Sequence, residues 1–117
     1  MRRIYDTDLG IEEMIRICTS AAEERGCHDK PITFSDAIAL LHSEISEAYE
    51  EYRKNKDYNE VYVSKEGKPE GISIEFADLA IRLFHYCGYF NIDLVGAIRN
   101  KLEYNKTRSY RHGNKKS

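Results

Sequence analysis

The run Ile72-Ser73-Ile74-Glu75-Phe76-Ala77-Asp78-Leu79-Ala80-Ile81-Arg82-Leu83-Phe84-His85-Tyr86-Cys87 decides the fold. Wound as a helix at about 100° per residue, it sets Ile72, Phe76, Leu79, Ala80, Leu83, Tyr86 and Cys87 on one side. Ile74, Ala77, Ile81 and Phe84 fall on the other. Only a narrow strip stays polar: Glu75, Asp78, Arg82 and His85. A helix that is apolar almost all round is buried on most of its circumference. Its few polar residues are then more than solvent decoration. Two acids three residues apart on such a helix need a compensating cation, because desolvated like charges otherwise drive protonation.

Three further segments around this one carry helical periodicity, so the chain is expected to be all-α. The first spans about Thr7 to Arg25, with Asp8 as N-cap, Glu12 and Glu13 in its first turn and Gly26 after its end. The second spans about Thr33 to Arg53, where Thr33 and Asp36 approximate a capping box. Phe34, Ala37, Ile38, Leu41, Ile45, Ala48, Tyr49 and Tyr52 recur on it at three- and four-residue spacing and read as its apolar stripe. The run opened above is the third helix and is expected to stop at Gly88. The fourth starts with Asp93 as N-cap, carries Leu94, Val95, Ile98 and Leu102, and reaches about Tyr104. Between the second and third lies a polar loop at about 54–71, in which Val61-Tyr62-Val63 reads as a short extended piece. A basic tail begins at about residue 105.

At 117 residues the chain is expected to form a single domain, 1–117. Its three cysteines, Cys18, Cys27 and Cys87, have no C-x-x-C spacing, which argues against a disulfide framework or zinc knuckle. Cys18 and Cys87 read as small core side chains. The N-terminal residues lack the apolar run of a signal peptide. No stretch of 18 apolar residues occurs, so no membrane span is expected and the cytoplasm is the simplest location. With 18 basic against 20 acidic residues, the whole-chain charge does not suggest a stable nucleic-acid complex.

The charges are nevertheless segregated. The second helix carries Glu44 and Glu47, three residues apart, with Glu50 and Glu51 beyond them. If it packs antiparallel to the third helix, Glu44 and Glu47 face Glu75 and Asp78. Four converging carboxylates suit Mg²⁺, or alternatively Mn²⁺. Zinc is disfavoured, because no His or Cys stands at ligand spacing beside these acids. The competing reading is that Arg82 and nearby lysines neutralise the acids as ordinary ion pairs. Arg99, Lys101, Lys106, Arg108, Arg111, Lys115 and Lys116 make the fourth helix and tail basic, with His112 among them. Lys101, Asn105 and Arg108, at spacings of four and three, share a helix face and suit phosphate oxygens. A solvated basic tail explains them equally well.

Leu41-His42-Ser43-Glu44-Ile45-Ser46-Glu47-Ala48, Lys68-Pro69-Glu70-Gly71-Ile72 and Glu75-Phe76-Ala77-Asp78-Leu79-Ala80-Ile81-Arg82 together resemble the MazG-like all-α nucleoside triphosphate pyrophosphohydrolases. Their signature is E-x-x-E followed by E-x-x-D, and here 27 residues separate Glu47 from Glu75. The ending Lys101, Tyr104-Asn105-Lys106, Arg108 and His112-Gly113 resembles the family's phosphate-side motif. The resemblance covers about Phe34 to Lys115. It implies a four-to-five-helix bundle that assembles as a homodimer or homotetramer, with Mg²⁺ held by Glu44, Glu47, Glu75 and Asp78. It also implies cleavage of a nucleoside triphosphate between its α and β phosphates, giving a monophosphate and pyrophosphate. The chain has no Trp, so any stacking on the base must use Tyr, Phe or His.

The expected chemistry follows. Glu47 orients or deprotonates a water. Lys101, Asn105 and Arg108 bind the distal phosphates, and Lys68 in the long loop closes over them. The second apolar face of the third helix is expected to bury against a partner copy or the first helix. The alternative is a non-enzymatic helical adaptor that pairs through its acidic and basic faces. A di-iron carboxylate bundle would want Glu-x-x-His pairs, and the chain has none.

Overall fold

The computed structural model describes residues 10–54 and 57–108. Among them the elements run α1 (Ile11–Glu24), α2 (Phe34–Lys54), β1 (Tyr62–Val63), β2 (Pro69–Glu70), α3 (Ile72–Tyr89) and α4 (Leu94–Lys106). The chain is predominantly helical, as expected. No helix among the described residues is long and apolar enough to cross a membrane.

The capping signals place two of the four helix starts. Asp36 N–H donates to Thr33 Oγ1 at 3.1 Å, one half of the expected box. Gly96 N–H donates to Asp93 Oδ1 at 3.0 Å, which makes Asp93 the N-cap of α4. For α1 the N-cap is Gly10, without a side-chain bond. Asp8, expected there, lies outside the described residues, as do Arg111, His112, Lys115 and Lys116 of the tail.

Helix α3 is central and packs on both α1 and α2. It does not stop at Gly88 but runs through it to Tyr89. Gly88 serves close approach instead: a Cβ there would strike Thr19 Oγ1 and lie 3.2 Å from Ile15 Cγ2, both on α1. Cys18, Ala22, Ala37, Ala48, Ile72, Tyr86 and Cys87 are buried, a core of mostly small side chains. All three cysteines are free thiols, with Cys18 and Cys87 buried as expected.

The facing of α2 differs from expectation. Its buried residues are Ala37, Glu44, Ala48 and Glu51, while Phe34, Ile38, Ile45, Tyr49 and Tyr52 of the expected stripe are exposed. The small alanines let α2 approach α3 closely, and Glu44 meets a cation on α3. Helix α4 buries none of its residues, and Leu102 of its expected stripe is exposed.

Part of the polar loop is a hairpin. Strands β1 and β2 pair antiparallel with Tyr62 opposite Glu70 and Val63 opposite Pro69. Ser64 N–H donates to the Lys68 carbonyl at 2.8 Å to close the turn. Gly71 joins β2 to α3 at φ +136°, and the Glu60 carbonyl occupies the place a Cβ would take. Only glycine fits both demands. The junction thus fixes how the hairpin meets the first turn of α3, where Glu75 stands.

Candidate metal centre

Glu44 on α2 and Glu75 and Asp78 on α3 bring one carboxylate oxygen each within 4.8 Å of one another. Glu44 and Glu75 are buried, and Asp78 is exposed. The helical spacing of Glu75 and Asp78 puts both on the side of α3 that faces α2. Arg82, one turn on from Asp78, donates its Nε–H to Glu44 Oε2 at 2.5 Å. The ion pair weighed against a metal therefore exists, but it engages Glu44 alone of the three.

Glu75 has no such partner among the described residues. It is 5% exposed, and its Oε1 is buried without a hydrogen bond. Burial, then the charges of Asp78, Glu47, Glu70 and Glu44, raise its carboxyl from 4.5 to about 7. Asp78 is also raised, by burial and then Glu44, against the opposing pull of Arg82 and Lys68. An unsatisfied buried carboxylate among other acids is costly unless a cation joins it. The donor set is all carboxylate oxygen, which fits Mg²⁺ or Mn²⁺.

Glu47 is exposed and stands outside this convergence, although its charge is felt at Glu75. Lys68 is exposed in the hairpin turn and near enough to Asp78 for its charge to act there. Lys101, Asn105 and Arg108 are exposed on or just beyond α4. No described hydrogen bond or ion pair joins them to the acids. Lys101 Nζ sits 5.3 Å from the Tyr104 ring centroid.

A cavity of about 930 Å³ opens beside the acids, among α1, α2 and α3. Glu44 and Asp78 share its lining with Arg25, Lys30 and Arg82, against apolar walls that include Ile17 and Ile81. Sequence reasoning missed Arg25 and Lys30. They fall at the end of α1 and in the short connection to α2, where no helical period marks them.

His85, also on the cavity wall, is buried. Its Nε2 lies 2.8 Å from His28 Nε2, and the two rings stack at 5.0 Å. One ring must donate and the other accept, so the pair holds at least one neutral imidazole. Burial, then His28, Arg25 and Arg82, lower the His85 pKa below the ordinary histidine range.

A second group of acids adjoins the first. Glu51 on α2, Glu70 on β2 and Glu75 on α3 also bring carboxylate oxygens within 4.8 Å of one another. Glu51 accepts from Tyr62 Oη at 2.8 Å and from Lys54 Nζ at 3.4 Å. Neither Glu51 nor Glu70 was foreseen as a site residue. The signal for Glu51 was its place seven residues beyond Glu44, in register with Ala37 and Ala48.

No family model, curated protein or solved structure matches this chain.

Proposed function

We propose that the chain is a Mg²⁺-dependent nucleoside triphosphate pyrophosphohydrolase, breaking the anhydride between the α and β phosphates to release a nucleoside monophosphate and pyrophosphate. One observation carries the reading. Among the described residues Glu75 is a buried, unpartnered carboxylate that converges with Glu44 and Asp78, and those two line a cavity that also holds cations. The order and spacing of Glu44-x-x-Glu47 and Glu75-x-x-Asp78 support it.

Glu44, Glu75 and Asp78 hold the cation, with Glu47 at the solvent side of the set. Bound there, Mg²⁺ neutralises phosphate charge and makes a water more acidic. Glu47 is free of an ion pair among the described contacts and orients that water or takes its proton. Arg25 and Lys30 line the cavity, Lys68 acts on Asp78 at its edge, and all three suit the phosphate oxygens. Lys101, Asn105 and Arg108 complete the phosphate ligands where a second copy brings its α4 alongside. The apolar stripe of α2 that the fold leaves exposed favours such a homo-oligomer.

The test is a panel of ribo- and deoxynucleoside triphosphates with Mg²⁺, assayed for monophosphate and pyrophosphate. Turnover of at least one member, abolished by chelator and by Asp78→Asn, is expected. Folded protein that cleaves nothing, with or without Mn²⁺, refutes the hydrolase. The adaptor reading would then stand, since it requires no divalent ion.

A further inference from the structure

We propose that Glu51, Glu70 and Glu75 form a second divalent-cation position, one that ties the hairpin to the helices. The three residues come from α2, β2 and α3, and their carboxylate oxygens lie within 4.8 Å of one another. Glu51 and Glu75 are 6% and 5% exposed. Three acids in that space find one cationic partner among the described contacts. This is Lys54, whose side chain is 64% exposed, so its charge is largely screened by water. The group is therefore short of positive charge where water cannot supply it.

The unpartnered Oε1 of Glu75 is the independent sign of a ligand. Glu75 belongs to both acid groups, so its carboxylate is placed to be shared between two ions, one beside Glu44 and Asp78 and one beside Glu51 and Glu70. The hairpin register is consistent with this. Tyr62 and Glu70 are directly opposite across the strand pair, so their side chains project to the same face. Tyr62 Oη already reaches Glu51 at 2.8 Å. The pairing thus delivers a carboxylate and a phenol to the same residue of α2. All the acidic donors are hard oxygen, which selects Mg²⁺ or Mn²⁺ over softer metals.

The consequence is positional. Glu70 is two residues from Lys68, whose charge is felt at Asp78. An ion on Glu70 pins β2 and so holds Lys68 at the acid end of the cavity. Divalent ion then orders the hairpin before any nucleotide arrives. The inference rests on the cation-centred reading above only through the shared Glu75.

Mn²⁺ titration, with the free-ion paramagnetic resonance signal counting what remains unbound, tests it in the full chain. The wild type is expected to bind two ions, and Glu70→Gln to lose one. Asp78→Asn should lose the other. Tryptic cleavage after the exposed Lys65, in the hairpin turn, gives a readout independent of activity. Mn²⁺ should slow it severalfold in wild type and in Asp78→Asn, and leave it unchanged in Glu70→Gln. If Glu70→Gln does not fold by circular dichroism, Glu51→Gln replaces it, and the wild-type protection still decides. A single bound ion that Glu70→Gln leaves in place overturns the proposal, as does cleavage indifferent to Mn²⁺. Two bound ions without triphosphate turnover would refute the hydrolase alone. Turnover with one ion, insensitive to Glu70→Gln, would refute this second position alone.

Discussion

Glu75 concentrates what the single residue can teach. Its carboxyl is raised from 4.5 to about 7 by burial first and by Asp78 and the other acids after it. In the unfolded chain it ionises near the ordinary glutamate value, so at intermediate pH the unfolded state has released a proton that the folded state keeps. The sign follows. In metal-free protein, stability falls as pH rises from about 4.5 towards 7, and the full cost is present above 7. A shift of that size corresponds to about 3 kcal/mol. Glu75→Gln keeps the shape and removes the charge. With chelator at pH 8, urea unfolding should find it more stable than wild type by about 2–3 kcal/mol. The difference should shrink on acidification towards pH 4.5, and Mg²⁺ should stabilise only the wild type. Equal stability at pH 8 would mean that the carboxylate is satisfied by a partner and that no cation is needed. The polar strip on a helix otherwise apolar all round made Glu75 and Asp78 legible in the sequence. Glu70 was not legible, because it sits in a two-residue strand too short for any period to relate it to Glu51 or Glu75.

At the scale of the element, α2 shows where periodicity runs out. Ala37, Leu41, Glu44, Ala48 and Glu51 are spaced four, three, four and three, an unbroken seam. Ile38, Ile45, Tyr49 and Tyr52 make a second seam one residue over. Hydrophobicity alone favours the second, since its side chains are larger. The structure turns the first inward, because alanines allow close approach and Glu44 gains Arg82. A hydrophobic pattern alone cannot rank two adjacent seams when the smaller side chains are the ones that permit close helix packing. The same logic governs Gly88, which reads as a helix stop and is instead the crossing point with α1. Alanine in a helix interior is favoured over glycine by about 1 kcal/mol. The added methyl would strike Thr19 Oγ1, and Thr19 is held in place by its bond to the Ile15 carbonyl at 2.6 Å. Overpacking of this kind costs about 1–3 kcal/mol and should win. Gly88→Ala is therefore expected to lower the melting temperature, and Thr19→Ala in the same chain to return part of the loss. A double-mutant cycle reads the coupling directly. Additive effects would mean that α1 and α3 do not meet through these two residues.

At the scale of the whole molecule, the described residues are more open than a compact domain. Their radius of gyration is 17.4 Å, against about 13 Å for a compact chain of about 100 residues. Among the described residues few large side chains are buried, and none is fully enclosed. Yet Ile45, Tyr49 and Phe76 are each more than half exposed, on the two helices that carry the acids. Burying such side chains is worth about 1.5–3 kcal/mol apiece, so leaving them in water forfeits much of what a small core needs. The neighbouring charges do not account for this, because a surface shaped only by solvation would not align Ile38, Ile45, Tyr49 and Tyr52 on one helix face. In the proposed homo-oligomer, a second copy of the chain presenting the same stripe would supply a self-complementary cover and close the assembly with two-fold symmetry. Sedimentation equilibrium should then give a mass that is an even multiple of the chain. Ile45→Glu places a charge in the middle of the stripe without touching the buried seam of α2. It should shift the protein to monomer while far-UV circular dichroism keeps most of its helical signal. The melting temperature of the wild type, but not of the variant, should rise with protein concentration. A wild type that sediments as a monomer at high concentration, with a concentration-independent melt, would mean that the stripe is covered by something other than a second copy. The proposed supply of Lys101, Asn105 and Arg108 from a neighbouring α4 would then fail with it, leaving Arg25, Lys30 and Lys68 as the phosphate ligands.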